Sequence, residues 1–212
     1  MARIGAKLSR RRAGTACAGV LFCACALTAA QTVPEASPLD SSGHLVREGR
    51  PVPYLIRHLP VSSFPELPPA TRQELEQRGC LIPQTYQAHG PENAIHGSLE
   101  RAGSSDWAVL CSTRGTVSLL VFFGSRSGQE PLVLATAPET ERLQINIATG
   151  TLGFNWGIDD ATPQQVHEAQ AGLDPRPAMP DHDALADSTV DRRTVYHFYA
   201  KGAWTLAEMP DQ

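Results

Sequence analysis

The residues able to do chemistry in this chain are few and scattered. Asp181-His182-Asp183 sets an imidazole between two carboxylates, types that serve acid–base catalysis or metal binding. Adjacent residues rarely converge on one ligand without others to orient them, so the simpler expectation is an exposed acidic loop capping Ala184–Asp187. Glu100 and Asp106 supply two more carboxylates. His167-Glu168 lies in a helical pattern but lacks the second histidine at i+4 that a zinc-protease helix needs. Gly124-Ser125-Arg126-Ser127-Gly128 has the outline of a nucleophile elbow, with Arg126 where the serine must stand. His89 and His96 read as solvated loop side chains. With no activated Ser or Cys motif and no phosphate loop, no cofactor is expected.

The elements that must position these residues centre on Asn93–Gly124. Asp106–Ser112 alternates Trp107, Val109 and Cys111 with Ala108, Leu110 and Ser112, and both faces are largely apolar. That pattern predicts a central strand rather than a half-solvated one. Ser112-Thr113-Arg114-Gly115 carries turn chemistry, and Thr116–Phe123 is rich in β-branched and aromatic residues, so the two runs form a hairpin.

The residues ahead of the hairpin, Gly97-Ser98-Leu99-Glu100-Arg101-Ala102-Gly103-Ser104-Ser105-Asp106, followed by WAVL and GTVSLLVFFG, resemble one FG-GAP (integrin-type propeller) repeat. The resemblance implies a loop-and-hairpin geometry with a calcium-binding acidic loop. Its ligand positions fall on Ser98, Glu100, Ala102 and Asp106, with Gly103 at the sharp turn. Glu100 and Asp106 alone keep carboxylates, whereas calcium takes about six to eight oxygens. The expectation is a loop without metal. No second copy follows at a propeller period.

Met1–Ala30 has a basic start (Arg3, Lys7, Arg10–Arg12), an apolar run of small residues and a small-residue end at Leu27–Ala30, the pattern of a signal peptide. The run is short for a membrane span, so no stable span is expected. Removing it leaves 13 basic residues against 22 acidic ones, a net charge of −9, which argues against a nucleic-acid surface. Two of the five cysteines remain, Cys80 and Cys111, and in an oxidising compartment they read as one disulfide. Residues 31–65, with prolines throughout, predict a linker or arm without long helices or central strands, in which Tyr54–Ile56 can still form an edge strand.

Residues 66–212 predict the folded domain. Pro69–Arg78 reads as a helix with Thr71 and Leu75 facing inward, a Glu74–Arg78 pair and Gly79 as its stop. Thr162-Pro163-Gln164-Gln165 is a capping box that opens a second helix. Pro131–Ala135 and Arg142–Ile147 read as strands, and Thr194–Tyr199 with Trp204–Ala207 as a second hairpin turning at Lys201-Gly202. The fold class is α+β: an antiparallel sheet built from two hairpins with two short packing helices. The function expected is a secreted or periplasmic, non-enzymatic binding protein for an envelope component or another secreted protein. The alternative is a secreted hydrolase using Glu100, Asp106, His182 and Asp183.

Overall fold

The computed structural model describes residues 37–210; the signal peptide expected over 1–30 and the beginning of the arm lie outside the described residues. The chain forms β1 (Ser41–Arg47), β2 (Arg50–Pro60), α1 (Pro69–Gln77), β3 (Leu81–Gln84), β4 (Ala94–Gly97), β5 (Asp106–Thr113), β6 (Thr116–Phe122) and β7 (Leu132–Pro138). It continues with β8 (Leu143–Asn146), β9 (Thr151–Phe154), β10 (Trp156–Ala161), α2 (Pro163–Ala169), β11 (Ala184–Thr189), β12 (Arg193–Ala200) and β13 (Ala203–Leu206). The coarse expectation of a mostly-sheet domain with two short helices holds. Two hairpins understate the sheet content. One sheet has nine strands in the order β7-β6-β5-β3-β2-β9-β8, with β1 beside β2 and β4 beside β5, and a second has four, β10-β11-β12-β13.

The period-two pattern of each strand decides what it covers. On β5, Ala108 and Leu110 enter a core shared with Trp156, Ile158, Leu185 and Tyr199 of the smaller sheet. Trp107, Val109 and Cys111 point the other way, into a cluster with Val61, Phe64, Leu67 and Leu75 under α1. Both faces of the strand are buried, as its two-sided apolar pattern requires. On β11, Leu185 joins the shared core while Ala184 and Ala186 meet Val166 of α2. The domain is therefore layered, with two sheets face to face and a short helix on each outer surface. Asn93 ties the sheets together: its amide donates to the Pro83 carbonyl of β3 at 2.7 Å and accepts from Ile158 N–H of β10 at 3.0 Å.

Both helices start where their sequences say; α1 also stops there, before Gly79, whereas α2 ends at Ala169, short of the stop expected at Gly172. Pro69 opens α1 at its first position, Thr71 and Leu75 are buried, and Glu74 pairs with Arg78 at 2.6 Å. Thr162 and Gln165 close the capping box at α2.

The arm expected over 31–65 needs correction in its described part. Residues 41–60 are β1 and β2, and β2 lies inside the larger sheet between β3 and β9. The prolines are tolerated for a geometric reason. Glu48 and Gly49 both have positive φ, the signature of a two-residue type I′ turn, so Arg47 and Arg50 face each other as a hydrogen-bonded pair. The pairs then alternate, and Pro51 opposite Val46 and Pro53 opposite His44 fall at non-bonded positions. The missing N–H groups of Pro51 and Pro53 cost β1 nothing. The same paired positive φ recurs at Arg114-Gly115 and Lys201-Gly202, which close the β5–β6 and β12–β13 hairpins.

Cys80, just past α1, and Cys111, within β5, stand at disulfide distance with Cα atoms 5.2 Å apart and a sequence separation of 31.

Candidate functional site

The loop joining β4 to β5 is built around one carboxylate. Asp106 is fully buried. Its Oδ2 accepts from Glu100 N–H at 2.7 Å and from the Ser104 hydroxyl, and its Oδ1 accepts from Gly124 N–H at 2.9 Å. Gly124 has no alternative residue: a methyl there would overlap the Ser105 carbonyl. From the smaller sheet's side, Asp183 Oδ2 accepts from Ser98 N–H at 2.8 Å, and Asp183 N–H donates to the Ser98 carbonyl at 3.2 Å. Glu100 turns outward to Arg101 at 2.8 Å, with Arg126 3.8 Å away. Thus Glu100, Asp106 and Asp183 gather at one loop, and each carboxylate is engaged by groups of the protein itself.

His182 does not join them. It is buried rather than part of an exposed acidic loop. Its Nε2 donates to the Tyr199 carbonyl at 2.9 Å, its Nδ1 meets Asp181 at 2.6 Å, and its ring lies on Phe198 with centroids 4.1 Å apart. The hydrogen bond from His182 holds the exposed Asp181 carboxyl below the usual range. The segment that follows, expected to be merely capped, is strand β11. Among the described residues no group of three or more His, Cys, Asp or Glu is arranged to hold a metal ion.

A second buried carboxylate escaped sequence reasoning. Glu139, at the turn after β7, accepts from His58 Nε2 of β2 at 2.9 Å and from the Ser112 hydroxyl of β5. All three side chains are buried. Burial pushes the Glu139 carboxyl up, but hydrogen bonds from His58 and Ser112 and the His58 charge outweigh it, and the net shift is downward. A serine, a histidine and a carboxylate meet here in the wrong order for nucleophilic catalysis. Ser112 donates to the carboxylate instead of to the imidazole, and His58 Nδ1 is buried without a partner. The signal available in sequence was slight: a glutamate beside Pro138, and a histidine in a stretch dominated by proline.

The concave surface nearest these loops is a groove of about 400 Å³ between α1 and the segment from Phe123 to Glu130. Trp107 and Phe122, opposite each other on β5 and β6, make its floor. Gln73 and Gln77 of α1 form one wall, and Arg126, Gln129 and Glu130 the other. Arg126 lies over Phe123, 5.1 Å from the ring centroid, and its Nη2 donates to the Tyr199 hydroxyl at 3.2 Å. A recess of about 510 Å³ beside the Asp191 turn is lined mainly by strand ends and the tail at Met209-Pro210, with Tyr196 its one aromatic ring.

Fold and site together define a mostly-sheet domain whose candidate catalytic residues are bonded internally and whose groove is floored by aromatic rings. No family model, curated protein or solved structure matches the chain. None of the described helices is long and apolar enough to cross a membrane.

Proposed function

We propose that this protein is a non-enzymatic binding protein that works outside the cytoplasm, on an envelope component or another secreted protein, with the groove between α1 and the Phe123–Glu130 segment as its binding surface. One observation carries the reading. The carboxylates that an acid–base enzyme would need are spent on the fold, Asp106 on three donors and Asp183 on a backbone strap, while the groove keeps side chains uncommitted. The cysteine pair at disulfide distance supports an oxidising compartment. The hydrolase alternative needs Glu100, Asp106, His182 and Asp183 to share a cavity, and His182 is turned toward Tyr199 and Phe198 instead. The resemblance of Asn93–Gly124 to an FG-GAP repeat fits the same reading, with the hydrogen bonds to Asp106 holding the loop where calcium would otherwise sit.

The test is a thermal-shift screen of the full chain against fractionated envelope extract, repeated with Gln77→Ala/Gln129→Ala. A fraction that raises the midpoint of the parent but not of the variant, and whose active component is recovered with unchanged mass, is the expected result. Recovery of a cleaved component would replace the binder with an enzyme.

A further inference from the structure

We infer that the groove takes a neutral saccharide; this rests on the groove being the binding surface and adds the chemistry of what fills it. The floor is the first reason. Trp107 and Phe122 line it from directly paired positions on β5 and β6, so their side chains share one face of the sheet, and His96, paired with Trp107 on β4, continues that row outside the groove lining. His96 and Trp107 have ring centroids 5.1 Å apart, and His96 Nε2 is held by the Ser105 hydroxyl at 2.8 Å. The paired rings of Trp107 and Phe122 match the apolar C–H face of a pyranose, and each adds contact area at little cost in rotamer freedom.

The rim is the second reason. Gln73, Gln77 and Gln129 are all exposed at the groove. Among the described residues, none of their side-chain amides forms a hydrogen bond. Each amide offers a donor and an acceptor at fixed separation, the complement of the neighbouring hydroxyls on a sugar ring.

Charge is the third. Glu74 is held by Arg78 at 2.6 Å, and Arg126 is shared between the Tyr199 hydroxyl at 3.2 Å and Glu100 at 3.8 Å. The Glu74 charge is paired, and the Arg126 charge is partly offset by Glu100. Glu130 stands exposed at the rim and opposes an anion, as does the chain's net negative charge. A cavity of about 400 Å³ suits a short oligosaccharide rather than a folded partner.

The experiment presents the full chain to a printed array of neutral, acidic and basic oligosaccharides, then titrates the best neutral one by calorimetry. The comparison variants are Gln77→Ala/Gln129→Ala, which alters exposed side chains only, and Phe122→Leu, which keeps apolar volume but removes the ring. Thermal midpoints establish that each variant folds. The expected result is binding of a neutral saccharide that weakens about tenfold or more in both variants, the loss of one or two hydrogen bonds or of one stacked ring. Binding confined to acidic or basic sugars, or no binding to the array, overturns the saccharide. A parallel library of uncharged tetrapeptides separates the two levels. Peptides that bind and are lost in the same variants leave the groove standing and the sugar refuted. Ligands of any kind that bind both variants as tightly as the parent refute the groove as well.

Discussion

Two buried carboxylates organise this molecule by opposite means. Asp106 is held mainly by backbone: two N–H groups and one hydroxyl, from Glu100, Ser104 and Gly124, all within 18 residues of it. Glu139 is held by side chains, His58 and Ser112, which lie 81 and 27 residues away in sequence. A carboxylate on backbone donors shapes the loop that contains it. One on distant side chains welds separate strands, here β2, β5 and the turn after β7. The first arrangement can form as soon as the hairpin does; the second requires the sheet to be assembled.

The sharpest way to break this contrast is Asp106→Ala. It strands two backbone donors and a hydroxyl around a side-chain position that is itself fully buried, and at ~1–3 kcal/mol for each unsatisfied group the expected loss is roughly 3–5 kcal/mol after partial relaxation. Asp106→Asn keeps an acceptor and is expected to lose about half as much. Urea midpoints for the two variants check the ratio; equal losses would mean that charge, not hydrogen bonding, holds the loop. The next largest effect acts on both sites at once, because β5 carries Asp106 at one end and Ser112 beside Cys111 at the other. A bond from Cys80 closes a loop of 31 residues, for which chain entropy gives roughly 3–4 kcal/mol. Reduction is expected to lower the urea midpoint accordingly, and thiol labelling in denaturant before and after reduction shows whether the bond was present.

The contrast also explains what could be read in the sequence. The β5–β6 hairpin, the helix stop at Gly79 and the capping box at Thr162 depend on neighbours a few residues apart, and each was legible. The β1–β2 hairpin was hidden by composition. Pro51 and Pro53 argue against a strand unless the register that parks them at non-bonded positions is already known. The clue was Glu48-Gly49, a turn of the same kind as Arg114-Gly115 and Lys201-Gly202. The carboxylates divide in the same way. Glu100 and Asp106 stood out because they share one loop, although their role there is architectural. His58 and Glu139 could not be linked, since nothing local announces a contact made across 81 residues. His182 looked exposed because its neighbours are acidic; Phe198 and Tyr199, which cover it, arrive only with β12.

Glu139→Gln sharpens the comparison on the side-chain arm. The amide keeps the shape but meets His58 and Ser112 less well, and the expected cost is about 1–3 kcal/mol. The pH dependence has a defined sign. Glu139 titrates lower in the folded protein than its ordinary value of 4.5, so its contribution is complete above that pH. The stabilisation is lost as pH falls from 4.5 through the folded-state pKa. Stability measured across that acid window is expected to fall less steeply in Glu139→Gln than in the parent. Parallel acid limbs would show that the buried network contributes no linkage.

Asp183→Asn gives the smallest effect and decides what the contrast depends on. Asp183 resembles Asp106 in accepting from backbone, Ser98 N–H at 2.8 Å, and resembles Glu139 in reaching across 85 residues. It differs from both in being only partly buried. If distance in sequence set the energetic weight, this variant would cost as much as Glu139→Gln. If burial sets it, water can replace much of what is lost. An asparagine oxygen can still accept from Ser98, and the Asp183 N–H bond to the Ser98 carbonyl is untouched. The expected loss is then about 0.5–1 kcal/mol. Amide hydrogen exchange supplies a local reading: Ser98 N–H is expected to exchange faster in the variant while the β5 amides keep their protection. A loss of protection reaching β5 would place Asp183 in the same cooperative unit as Asp106 and erase the distinction between a loop held from within and one strapped from the opposite sheet.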